Sequence, residues 1–165
     1  MAEIRASRIV FAFDARLRRV EALEGLAALA VQMQAELVGL FIEDIDLLHL
    51  AALPFAREVG YPSAAHRELD LVRMQRSLAA SANDLRRIYE SVLKDAPVTW
   101  SFRVVRGSRA EQLFRAATEG RAPTLLIPPG TDPRAEPLVM SLSELTEAGS
   151  RAFLDGAQRP ILILP

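Results

Sequence analysis

Cysteine is absent from the chain and lysine occurs once, as Lys94. The first absence removes disulfides, a thiolate nucleophile and a thiolate metal site. The second leaves one candidate for every role that needs a lysine amine, whether phosphate-loop cation, Schiff-base former or catalytic base. The other basic residues are all arginine, and with the abundant alanine this points to a high-GC bacterial coding sequence. Long hydrophobic runs are missing too: no stretch approaches the ~18 apolar residues of a membrane span. The opening segment MAEIRASRIVFAFD has too short an apolar run for a signal peptide and leads into Asp14 and several arginines. A cytoplasmic location is therefore expected. An excess of either charge is also lacking. Twenty Lys and Arg against 21 Asp and Glu give a net charge of −1, which favours neither nucleic acid nor an anionic membrane.

What is present is an ordinary globular composition in 165 residues, half hydrophobic and a quarter charged. A single domain over residues 1–165 is expected, able to bury roughly 70% of its unfolded surface. Ile9–Phe13 reads as a buried strand. Val20 to Gln34 carries apolar residues at Val20, Leu23, Leu26, Ala27, Ala30 and Met33, a helical stripe. Glu36–Ile42 is a second strand. A long connection, Glu43–Ala65, contains two prolines and the apolar segment LLHLAALPF. From Glu68 to Lys94 the apolar residues recur every three or four positions, the mark of a long amphipathic helix. Val98–Val105 is the third strand, Gly107 makes a turn, and Ser108 with Glu111 forms a capping-box pattern opening a helix to Glu119. Thr124–Ile127 is the fourth strand, Ser141–Ala157 a helical region, and Ile161–Leu164 the fifth strand.

Strands alternate with helices, and the strands are continuous apolar runs. Both features indicate an α/β fold, a five-stranded parallel sheet with helices on both faces. Right-handed crossovers gather the carboxyl ends of the strands at one edge, where ligands of such sheets sit. Asp14, Glu43, Arg106, Gly107 and Pro128–Gly130 are expected there.

Several pieces taken in order resemble the universal stress protein family. RIVFAFD is similar to that family's first strand, ELVGLFIED to its second, VVRGSRAEQLFRAATEG to its strand–glycine–helix passage, TLLIPPG to its fourth strand and RPILILP to its last. The resemblance spans nearly the whole chain. It implies that Asp14 and a backbone group near Ile42 contact an adenosine, and that phosphates are held by G-x2-G-x9-G-[S/T] after the fourth strand. Here Gly130 matches the first glycine, but Pro133 stands at the second, Ser143 at the third and Glu144 at the final hydroxyl position. Four of the ten prolines lie between Pro128 and Pro137. A phosphate loop works through backbone N–H donors, often at positive φ, and proline has no N–H. A Gly149-Ser150 pair further on is either a displaced remnant of the motif or chance.

The expectation is a non-catalytic regulatory or binding protein of this type, with no cofactor and with degenerate or absent ATP binding. The alternative is a genuine ATP or AMP binder, with or without magnesium, using Asp14, Ile42, Gly107, Gly130 and Ser150 around a rearranged loop. An adenylating enzyme is the weakest reading. Arg106, Gly107, Ser108 and Arg109 at a helix start read either as an anion site or as capping with solvent-facing arginines. Asp14, Glu43, Asp44 and Asp46 read as a divalent-cation site or as solvated carboxylates. His49 and His66, the only histidines, have no serine–acid or metal-ligand pattern around them. Leu47–Val59 reads as a flap or partner-docking patch, or as a helical turn packed on the core. Ile161–Leu164 is expected at a sheet edge, pairing with its symmetry mate in a homodimer.

Overall fold

The computed structural model describes residues 5–13, 20–44, 57–60, 65–68, 71–147, 153–154 and 156–165. Its elements are β1 (Arg8–Ala12), α1 (Val20–Met33), β2 (Glu36–Asp44), β3 (Arg57–Gly60), β4 (Ala65–Glu68), α2 (Leu71–Leu93), β5 (Trp100–Gly107), α3 (Arg109–Thr118), β6 (Thr124–Ile127), β7 (Leu138–Ser141), α4 (Leu142–Glu147) and β8 (Ile161–Leu164). The strands and helices anticipated from periodicity are present with ends shifted by a few residues, except that the region expected to be helical over Ser141–Ala157 gives the short α4 ending at Glu147, with 148–152 and 155 outside the described residues. The main sheet runs β5-β2-β1-β6-β8-β7, and β3 and β4 form a separate antiparallel pair.

Alternation along the central strands divides the core. Ile9, Phe11, Leu37, Leu125 and Ile127 face Leu23, Leu26 and Ala30 of α1 and Tyr89 and Leu93 of α2. Val10, Val38, Leu40 and Leu126 face Leu113 and Ala117 of α3 and Leu145 of α4. A sheet buried on both faces explains why its strands read as unbroken apolar runs. Tyr89 centres an aromatic group, edge-on to Phe13 at 5.5 Å and to Trp100 at 5.2 Å between ring centroids. Its hydroxyl donates to the Leu37 carbonyl at 3.2 Å. Burial, reinforced by the charge of Glu36, pushes its phenol far above the usual range. Gly39 leaves room for this group, since a Cβ there would stand 2.8 Å from Phe13 Cε2 and 3.0 Å from Phe11 Cζ.

Two expectations fail, for one reason. The main sheet has six strands instead of five, and its last strand is not parallel to the fourth: β8 runs antiparallel to β6, and β7 pairs with β8 in parallel. In the expected layout a helix descends after the fourth strand and the fifth strand rises again. Here the prolines at 128, 129, 133 and 137 keep a helix from running through this stretch, because each removes an interior N–H donor and disfavours helical backbone at the residue before it. The β-prone Leu138–Ser141 makes the descent as an extended strand instead. Helix α4 packs on the α3 face, and β8 starts again at the carboxyl edge, so it descends as β7 does. One extra traverse inverts the final strand. It also makes β8 internal. The sheet edges are β5 and β7, so the expectation that Ile161–Leu164 is an edge strand is overturned.

The long connection is also richer than expected. Residues 57–59, the end of Leu47–Val59, belong to β3 and are extended, while residues 47–56 lie outside the described residues. Ala65–Glu68 is strand β4, with His66 opposite Val59, and the long helix begins at Leu71.

Candidate functional site

The order of the central strands reverses between β1 and β6. From β1 the chain moves outward through β2 to β5, and from β5 it returns across the sheet to β6. A crevice is expected at the carboxyl ends of the two strands that flank such a reversal. A cavity of about 480 Å3 lies there, with walls from Ala12 at the end of β1, Ile127 at the end of β6, the first half of α1, and residues 128–134.

The proline-rich loop is built from two consecutive turns. Pro128 accepts from the Thr131 N–H at 3.3 Å and from its hydroxyl at 2.8 Å. Gly130 between them has φ 79°, the value that the third position of a type II turn requires, and Pro129 supplies the second. Asp132 then accepts from the Ala135 N–H through its carbonyl at 3.1 Å and from the Arg134 N–H through Oδ1 at 2.9 Å. Pro133 occupies the second position of that turn. Pro128, Pro129 and Pro133 therefore have no N–H to offer a ligand, and those of Thr131, Arg134 and Ala135 close the loop on itself. The left-handed conformation of Gly130 follows from turn geometry alone.

The remaining motif positions are elsewhere. Leu138 is level with Ile161, which is level with Leu126; Ser141 is level with Leu164, one position past the Ile163–Thr124 pair. Strand β7 thus carries the chain from the carboxyl edge to the amino edge, roughly 10 Å at 3.3 Å per residue. Ser143 and Glu144 lie at the start of α4 on that far edge, away from Gly130. They serve the helix. The Glu144 N–H donates to Ser141 Oγ at 3.2 Å, and the Ser141 N–H donates to Glu144 Oε2 at 2.7 Å. This is a reciprocal capping box. The Ser141 hydroxyl also donates to Glu144 Oε2 at 2.9 Å. The bonds from the Ser141 backbone and then its hydroxyl hold the Glu144 carboxyl below its usual range. The S-L-S-E at residues 141–144 is itself a capping-box pattern, and it overlaps the positions where the phosphate motif would place its last glycine and hydroxyl.

The other predicted residues form a second group over β2 and β5. Glu43 is opposite Arg106 and Asp44 opposite Gly107. Arg106 Nε and Nη2 both reach Glu43 Oε2 at 3.1 Å. This pairing engages one member of the expected anion site with one member of the expected cation site. Gly107, at φ 151°, is overlaid by the buried Gln112 side chain, and a Cβ would stand 2.5 Å from Gln112 Nε2. Ser108 caps α3 as expected, accepting from the Glu111 N–H at 3.4 Å. Ile42 is partly buried and packs on the α3 face. Gly107 ends β5 and Gly130 lies three residues past the end of β6, and these two strands are three spacings or roughly 14 Å apart. Asp14, Asp46, His49, Gly149 and Ser150 lie outside the described residues. Among the described residues, no three His, Asp or Glu side chains group as metal ligands, and no helix is long and apolar enough to cross a membrane.

No protein-family model matches the sequence. No curated protein matches it either. Solved structures do. The hypothetical protein MJ0577 superposes with a TM-score of 0.55 at 12% identity, over 98% of this chain and 96% of that one. A protein of the universal stress protein family from Burkholderia pseudomallei superposes with a TM-score of 0.51 at 18% identity, over 96% of both chains. This chain has the α/β fold of universal stress protein structures, with a sixth strand added to the main sheet.

Proposed function

We propose that the chain is a universal stress protein-like binding protein, non-catalytic and cytoplasmic, that lacks the phosphate grip of an ATP site and acts in regulation. The observation that carries this reading is the split motif. Gly130 is at the carboxyl edge, while Ser143 and Glu144 are at the opposite edge beyond β7. No substitution at single positions accounts for that separation. The engagement of the Thr131, Arg134 and Ala135 N–H groups supports the same reading, as does the carboxylate of Glu144 at the start of α4. The only hydroxyl on the cavity wall among the described residues, that of Thr131, donates to Pro128.

Thermal shift and calorimetry with ATP, ADP and AMP, with and without magnesium, test the proposal. ATP at 100 times its Kd would add about 2.7 kcal/mol of stability, a rise of roughly 5–10 °C for a domain of this size. We expect no such rise at sub-millimolar ATP. A rise of that size would restore the reading as an adenine-nucleotide binder.

The proposal includes a two-fold homodimer, with its contact moved from β8 to β7. Of the two sheet edges, β5 carries Arg103 and Arg106, charges of the kind that blunt an edge. Strand β7 is uncharged and exposes Leu138 and Val139. Light scattering should give twice the 18.2 kDa monomer mass, and Val139→Lys should halve it. A monomeric wild type at micromolar concentration would remove this part.

A further inference from the structure

Gly25 breaks a local rule without a steric reason. It lies inside α1, where glycine lowers helix stability relative to alanine. Gly39 and Gly107 are enforced by neighbouring side chains, but a Cβ at Gly25 would meet nothing within 4 Å. What occupies that direction is open space. Gly25 lines the 480 Å3 cavity and also a second one of about 310 Å3 that continues along α1 toward Met33. Ala22 a turn earlier and Ala28 a turn later keep the same side of the helix low. With no packing demand on it, the helical Gly25 leaves the groove open at the point where the two cavities meet, and any larger side chain there would enter it.

The groove wall opposite is the proline loop, and its chemistry is sparse. Leu26, Ile127, Pro128 and Pro129 make the first cavity apolar, with a size typical of small-molecule sites. Arg134 lines both cavities where they meet. Its backbone is fixed by the hydrogen bond to Asp132 Oδ1. Its guanidinium has no hydrogen bond or ion pair among the described residues. Two carboxylates limit what this cation can receive. Asp132 adjoins it, and Glu21 lines the first cavity one helical turn before Gly25, about 6 Å along the axis. One anionic group matches one guanidinium fork; a chain of phosphates extending toward Glu21 meets like charge.

We propose that this groove binds a small amphipathic monocarboxylate, its apolar body between α1 and the proline loop and its carboxylate on Arg134. The inference rests on the reading above, that the crevice is not a polyphosphate site, and names the ligand class it takes instead.

The test uses the full chain and two probes of nearly equal shape, 4-phenylbutyrate and its neutral amide, titrated by calorimetry. The acid should bind the wild type about tenfold or more tighter than the amide, the discrimination expected of one charge-assisted pair. Arg134→Gln, a change at an exposed position, should abolish that preference. Gly25→Leu should fill the junction, remove binding of both probes and raise the melting temperature, because it replaces a helical glycine. A raised melting temperature with lost binding separates a blocked groove from a damaged fold. The proposal is overturned if the wild type binds neither probe, if it binds both equally, if Arg134→Gln keeps the preference, or if Gly25→Leu binds as the wild type does. Tight binding of ATP in the same cell, displacing the probe, would instead remove the underlying reading, so the two failures are distinguishable.

Discussion

Restoring the letters of the phosphate motif should not restore ATP binding. The triple variant Pro133→Gly, Ser143→Gly, Glu144→Thr recreates G-x2-G-x9-G-T from Gly130 onward. If the motif residues surrounded one phosphate group, two regained charge-assisted donors would contribute about 1.5–3 kcal/mol each. The combined gain of roughly 3–6 kcal/mol would tighten ATP binding by about 10² to 10⁴. The register of β7 rules that geometry out, because positions 143 and 144 stay at the amino edge whatever side chains they carry. Stability should fall instead. Pro133→Gly loosens the unfolded chain and costs roughly 1–2 kcal/mol, and Ser143→Gly in the first turn of α4 costs roughly 0.5 kcal/mol. Glu144→Thr removes the carboxylate of the capping box. The first two changes alone lower the melting temperature by roughly 3–10 °C. Calorimetry with magnesium and ATP, alongside thermal unfolding, reads both quantities. A gain in ATP affinity of about tenfold or more, with unchanged melting temperature, would refute the separation of the motif.

Three further outcomes follow from the packing and the titrating groups. Gly39→Ala should destabilise the fold by about 1–3 kcal/mol, because its Cβ enters the space of Phe11 and Phe13; adding Phe13→Leu should recover part of the loss in urea unfolding. The Glu144 carboxyl lies below its usual range in the folded state, so its contribution is present above the unfolded value of ~4.3 and is lost as pH falls through the lower folded value. Acid titration of wild type against Glu144→Gln should show their stabilities converging below that pH, and parallel curves would contradict the capping role. Tyr89 is shifted the other way, so its contribution is present below the unfolded value of ~10 and is lost as pH rises toward the folded value. Of the chain's two tyrosines, Tyr89 should yield phenolate absorbance only as the protein unfolds in alkali, and Tyr89→Phe should cost about 0.5–1.5 kcal/mol through its bond to Leu37.

Much of the site is legible in the sequence at the level of single turns. Pro129-Gly130 specifies its turn because one residue fixes φ and the next tolerates a positive value. Ser108 and Glu111 cap α3 where the pattern places them. The role of Arg106 was not legible: only the pairing of β2 with β5 reveals that Glu43 faces it. The packing of the Gln112 side chain over Gly107 was not legible either, since it depends on how α3 sits against the end of β5. The place of Gly25 is not legible in a helical stripe, since it depends on an empty volume formed with a loop about a hundred residues away.

The sequence by itself determined the apolar strands β1, β2, β5, β6 and β8, the helices with a buried stripe, and that residues 128–137 cannot be helical, but not β3, β4 or β7. Each of these depends on side chains within a few positions of one another, and local chemistry suffices. Tertiary structure alone decided direction and company. The path of β7 inverts β8, removes it from the sheet edge and sends Ser143 and Glu144 away from Gly130, because strand pairing joins residues without regard to their separation along the chain. The same family-like letters therefore lie at two ends of one sheet, and an open groove lies where they would have met.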